Sequence, residues 1–165
     1  MDRPEGKPLA PPIWPKCIWR LSLFAAEHNG TFPLVSGAAS SEAPLSELVP
    51  KYTTDTNIFI CPGSNASTLP GAQPFANRRI SYAYYMGLKR DDSPDAPLVS
   101  DAQVDAHAKR QGDATFSANG NAPGNNHRRY GGNILFLDGH VETIDTTAPR
   151  DLVIPNEVVL LNPKP

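Results

Sequence analysis

A chain of 165 residues has room for one domain with a single modest core, and a net charge of −2 gives no basic face of the kind a nucleic-acid binder carries. Eighteen prolines, twelve glycines and 39% hydrophobic residues describe a loop-rich domain of short strands rather than a disordered one, because apolar runs recur throughout. No apolar run is long enough to span a membrane and no signal-peptide core is present, so the sequence as it stands predicts a soluble chain without its own export signal.

In chain order, residues 1–13 (MDRPEGKPLAPPI) predict an extended tail, and residues 14–165 a single globular domain. Trp14, Cys17, Ile18, Leu21, Ala25 and His28 recur at helical spacing, with Pro15 tolerated in the first turn and Asn29-Gly30 as a stop. This predicts an amphipathic helix of about four turns whose apolar stripe needs a sheet to cover. Residues 31–41 predict a loop of small residues, and residues 44–49 a single helical turn ended by Pro50. Residues 57–61 (NIFIC) predict a short buried strand closed by Pro62-Gly63, followed by a loop to residue 77 punctuated by Pro70, Gly71 and Pro74. Residues 80–88 (ISYAYYMGL) alternate as a strand with Tyr82 and Tyr84 on one face, and residues 98–100 give a short apolar run ending at Asp101. Residues 102–112 are polar, a helix or a loop.

The strongest local signal is residues 125–144 (NNHRRYGGNILFLDGHVETI). Two alternating β-prone runs joined by Asp138-Gly139 predict a hairpin with a type I′ turn. Ile134, Phe136, Val141 and Ile144 are its expected core residues. A Gly- and Asn-rich loop delivers His127 to its base. Residues 152–161 (LVIPNEVVLL) predict a last strand, with Pro155 confining part of it to an edge. One helix followed by about five short strands is an α+β order, a helix lying across a small antiparallel sheet.

Several pieces, in order, resemble one family. They are Lys16-Cys17-Ile18, Glu27-His28-Asn29-Gly30-Thr31-Phe32-Pro33, Leu48-Val49-Pro50-Lys51-Tyr52, Phe59-Ile60-Cys61-Pro62 and Ser81-Tyr82-Ala83-Tyr84. Together they resemble type II secretion pseudopilins and related type IV pilin-like proteins. With His127 to Asp138-Gly139-His140-Val141 the chain looks more narrowly like the prepilin-type processing-associated group, named for a His, nine residues and Asp-Gly. Ten residues separate His127 from Asp138 here. The leader, cleavage site and long apolar helix with which that family begins do not occur in this sequence.

The resemblance implies a pilin-like head: a bacterial structural subunit of an extracellular or periplasmic pilus or pseudopilus fibre, performing no chemistry. Its partners would be copies of itself or other pilin-like subunits and the secretion or pilus assembly machinery, with no nucleic acid. The residues themselves show no phosphate loop, nucleophile elbow or paired carboxylates at recognisable spacing.

An alternative reading is a soluble metal- or small-ligand-binding module. His127, Asp138, Asp101 and His140 could converge as a calcium or zinc site, since carboxylates and imidazoles are ordinary ligands of those ions. The other reading gives Asp138 and Gly139 to the turn and His127 to hydrogen bonds within its loop. Asp91, Asp92 and Asp95 form an acidic loop that is either a calcium site or a solvated turn. Cys17 and Cys61 form a disulfide if the protein is exported, or are two buried thiols packed as small hydrophobes. Trp14, Trp19 and Tyr82–Tyr85 are a stacking surface for carbohydrate or part of the core.

Overall fold

The computed structural model describes residues 14–62, 64, 78–102, 108–113, 132–144 and 154–165. Helix α1 (Trp14–Glu27) forms where the apolar spacing predicted it. Its buried stripe is Trp14, Cys17, Leu21, Phe24 and Ala25, with Ile18 half-buried. The stop works as expected: Asn29 and Gly30 turn to positive φ (53° and 80°), and the Gly30 N–H donates to the Ala25 carbonyl at 2.8 Å. A short α2 (Glu42–Ser46) and a 3-10 turn (Thr56–Phe59) precede the strands.

Five antiparallel strands follow: β1 (Tyr82–Met86), β2 (Pro97–Asp101), β3 (Gly132–Phe136), β4 (Val141–Ile144) and β5 (Val159–Leu161). They form one sheet in the order β4-β3-β2-β1-β5. The pairings Tyr84↔Val99, Tyr84↔Leu161 and Val99↔Leu135 set those four side chains in one row on one face. All four belong to the main core, which also contains the buried α1 stripe. On the opposite face, Ile134 and Phe136 join Ile144 in a second, smaller cluster.

The α+β pilin-like head expected from the sequence, with its helix laid on the sheet, is corrected. Among the described residues the five-stranded antiparallel sheet dominates and there is one helix of substantial length, and the described element α1 packs against most is the 3-10 turn. It also meets the sheet, where the Trp14 ring lies 4.8 Å from that of Tyr82. The cause lies in the segment expected as a strand at residues 57–61. The Asp55 side chain accepts the Asn57 N–H at 3.2 Å, and this local cap winds the backbone into a 3-10 turn instead of leaving it extended. Ile58 and Phe59 are then buried by the turn, and its Phe59 carbonyl accepts the Ser81 N–H just before β1.

The hairpin of β3 and β4 has the expected strands but a different turn. Gly139 has φ +92° and Asp138 is not among the positive-φ residues, whereas a type I′ turn requires both. The Gly139 N–H donates to the Phe136 carbonyl (3.0 Å) and the Phe136 N–H to the His140 carbonyl (2.9 Å), enclosing a three-residue loop. That is the loop in which a glycine at positive φ follows a type I turn. Val141, expected in the core, is 40% exposed because β4 is an edge strand.

Two contacts fasten distant parts of the chain. A Cβ on Gly87 (φ +114°) would lie 2.8 Å from the Glu157 carbonyl oxygen, so only glycine lets residues 154–158 approach the end of β1. The buried Glu42 carboxylate accepts the N–H groups of Ile80 (3.2 Å) and Lys164 (2.9 and 3.1 Å). Beside it, Ser41 donates its hydroxyl to the Tyr82 carbonyl and its N–H to the Asn162 carbonyl.

Candidate functional site

Of the expected metal residues, the three that are described, Asp101, Asp138 and His140, are not gathered in one place. His127 lies outside the described residues. Asp101, at the end of β2, is fully buried and accepts the N–H (2.7 Å) and side-chain amide (3.2 Å) of Asn133 at the start of β3. Asp138 is five residues farther along that hairpin, roughly 15 Å away at the rise of a strand. Among the described residues no group of three or more His, Cys, Asp or Glu is placed to hold a metal ion.

Asp138 and His140 are together, as neighbours in the loop. The Asp138 carboxylate accepts the His140 backbone N–H at 2.9 Å and also contacts its Nδ1, and this pulls the Asp138 pKa below the ordinary carboxylate value. The His140 Nε2 faces Glu142 at 3.3 Å, and its ring stacks on Phe136 (4.4 Å, 4°). Both imidazole nitrogens are therefore engaged by carboxylates of this chain. In the acidic loop, Asp92 accepts the Lys89 N–H at 2.7 Å, and Asp91, Asp92 and Asp95 are all exposed, as in a solvated turn.

Cys17 and Cys61 are both buried thiols, not a disulfide. Burial pushes the Cys17 thiol up to about 12. Trp14 and Tyr82–Tyr85 belong to the core, where burial raises the pKa of the hydroxyls of Tyr82, Tyr84 and Tyr85, so of the expected stacking surface only Trp19 stands exposed.

A concavity among the described residues lies elsewhere, at the C-terminal end of α1. An open cleft of about 730 Å³ is lined by side chains that include Phe24, Glu27, His28, Leu34, Glu47 and Tyr52. The His28 ring stacks on Phe24 (3.8 Å, 3°), and Tyr52 is tilted against Phe24 at 5.3 Å. Since a carbonyl can only accept, the 2.8 Å contact between His28 Nδ1 and the Phe24 carbonyl places a proton on Nδ1. Glu27 receives the Tyr52 hydroxyl at 2.6 Å and the Lys51 ammonium. Lys51, then Tyr52, lower the Glu27 pKa, and Glu27 in turn raises that of Lys51.

The lining of the cleft draws on two of the sequence pieces quoted above, through Glu27, His28, Asn29, Thr31 and Phe32 of one and Lys51 and Tyr52 of the other. A second pair, residues 59–62 and 81–84, meets through the Phe59–Ser81 hydrogen bond. Sequence reasoning named these pieces only as a family likeness and not as a site. The signal available was their aromatic and charged content, Glu27-His28 and Lys51-Tyr52, without a spacing that joins them.

Comparison with protein-family models, with curated proteins and with solved structures found no match.

Proposed function

We propose that the chain is a non-catalytic structural subunit of an extracellular or periplasmic, pilus- or pseudopilus-like fibre. The observation that carries this reading is the assembly of the separated sequence pieces that resemble pilin-like proteins into contiguous structure. Residues from the pieces 27–33 and 48–52 line one cleft, and residues 59–62 and 81–84 are joined by the hydrogen bond from the Ser81 N–H to the Phe59 carbonyl. No helix among the described residues is long and apolar enough to cross a membrane. Partners on this reading are other pilin-like subunits and the machinery that assembles them.

The test is fractionation of bacteria that carry the gene. Shearing intact cells should release the chain in a sedimenting filament fraction, and deleting the gene should lower the filament yield or the secretion that depends on it. Recovery of the chain only as a monomer inside the cell, with filaments and secretion unchanged by the deletion, overturns the proposal.

The competing reading, a soluble metal- or ligand-binding module using the His127 loop and Asp138, has less support because Asp138 and both nitrogens of His140 already serve one another and Glu142. It predicts a melting temperature that rises with calcium or zinc, a rise abolished by Asp138→Asn.

A further inference from the structure

The cleft at the C-terminal end of α1 holds more acceptors than its own donors use. The Lys51 ammonium and the Tyr52 hydroxyl both go to Oε2 of Glu27, so its Oε1 has no hydrogen-bond partner among the described residues. The Glu47 carboxylate, exposed on the same lining, has no hydrogen bond or ion pair among them either. The helix adds to the negative potential, because its carbonyl end lies at the cleft and its last turn carries no basic residue. Lys51 and Tyr52 lower the Glu27 pKa, which keeps that carboxylate ionised at neutral pH. Two carboxylates and a helix C-terminus therefore stand against one ammonium, and that ammonium is already engaged.

The walls decide what kind of cation fits. The donor set does not suit a bare metal ion, since no group of three or more His, Cys, Asp or Glu among the described residues is placed to hold one. Beside the carboxylates the lining is aromatic and apolar. The exposed His28 ring is backed by Phe24 on one face, and Leu34 is 50% exposed. An ammonium holds its water tightly, whereas a guanidinium is planar, weakly hydrated and able to lie flat on a ring while its N–H groups reach carboxylate oxygens. A volume of about 730 Å³ is in the range that takes a small organic ligand.

We propose that this cleft is a binding site for a guanidinium carried on a short apolar stem. The stem lies on Leu34 and the His28 ring, and the guanidinium donates to the Glu47 carboxylate and to Oε1 of Glu27. This does not rest on the fibre reading, and its test involves no filament.

Butylguanidinium and butylurea share one planar shape and differ in charge, so the pair isolates the role of the carboxylates. Each is titrated into the full chain at constant ionic strength while the His28 ring protons are followed by nuclear magnetic resonance. Butylguanidinium should give a saturable shift, and butylurea should bind about tenfold more weakly or less, the worth of one hydrogen bond to a charged group. Glu47→Gln should weaken butylguanidinium by about the same factor with the far-ultraviolet circular dichroism unchanged. Glu157→Gln, which removes an exposed carboxylate outside this lining, should leave binding as it was. A shift that does not saturate, equal binding of butylurea, or indifference to Glu47→Gln overturns the proposal. A His28 shift that appears on concentrating the protein alone overturns it as well, because the cleft is then filled by a second copy.

Discussion

Among the described residues two carboxylates are held below their ordinary range, and they are held in opposite ways. Asp138 takes its partner from two residues away, so its hydrogen bonds to His140 need little more than a closed hairpin loop. Glu27 takes its partners from 24 and 25 residues on, and its contacts with Lys51 and Tyr52 exist only when α1 and the segment after α2 are already docked. A local cluster reports the turn it sits in, whereas a distant one reports the assembled fold. The aromatic packing of Phe24, His28 and Tyr52 beneath the Glu27 network makes the cleft the more cooperative of the two.

Replacing Tyr52 by Ala should show this most strongly. The ring is buried against Phe24, and truncating such a side chain costs about 3 kcal/mol or more, read as a lower urea midpoint at unchanged slope. A loss below about 1 kcal/mol would mean that the cleft opens independently of the core. At the hairpin, Gly139→Val should cost about 2 kcal/mol through backbone strain alone. Gly139 has φ +92°, and a Cβ there would meet only Ile18, at an ordinary 4.0 Å. If Gly139→Ala proves neutral, the loop relaxes to another turn type and the local cluster is softer than its geometry indicates.

Single polar deletions separate the two regions more finely. Tyr52→Phe removes only the hydroxyl that donates to Glu27 and should lower the urea midpoint far less than Tyr52→Ala. Equal losses from Tyr52→Phe and from Glu27→Gln would locate the effect in that one bond.

The smallest expected effect is in pH. The folded-state pKa values of Glu27 and Asp138 are lowered, so each contributes stability that is present above the unfolded carboxylate pKa and lost as pH falls through the folded value. Lys51 is raised, so its share is present below its unfolded value of 10.5 and lost as pH rises through the folded one. All three groups are solvent-accessible, and the changes in Tm should be slight and weaker in high salt. Carbon-13 titration should place both carboxyls below a model carboxylate, and Tyr52→Phe should move Glu27 upward while leaving Asp138 in place.

The same contrast explains what could be read from the amino acids. The hairpin strands, the Asn29-Gly30 stop and the tyrosines of β1 are written in neighbouring residues, where period and turn chemistry act directly. The type I′ turn was misjudged because Asp-Gly suits more than one loop length, and the Asp138 side chain bonded to the His140 N–H suits the longer one. Residues 57–61 misled for a related reason: a short apolar run has no period of its own, and the Asp55 cap decided its conformation. The cleft was not legible, because nothing in a sequence states that Glu27 will face Lys51 and Tyr52. The resemblance to pilin-like proteins implied a helix laid on the sheet, and the structure shows a different packing for α1.

Glu42 has one further consequence, for the order in which the molecule can be made. Its carboxylate is synthesised early, yet two of the three hydrogen bonds that satisfy it come from Lys164, and the strand beside β1 is Val159–Leu161. Until residue 164 has been made, a nascent chain carries an under-satisfied acid in its interior and an open edge on its most aromatic strand. Folding from one end toward the other, as translation proceeds, would leave that edge exposed to other nascent chains from the completion of β1 until β5 is made. The protein should therefore depend on a chaperone that shields β1 until its last residues are available.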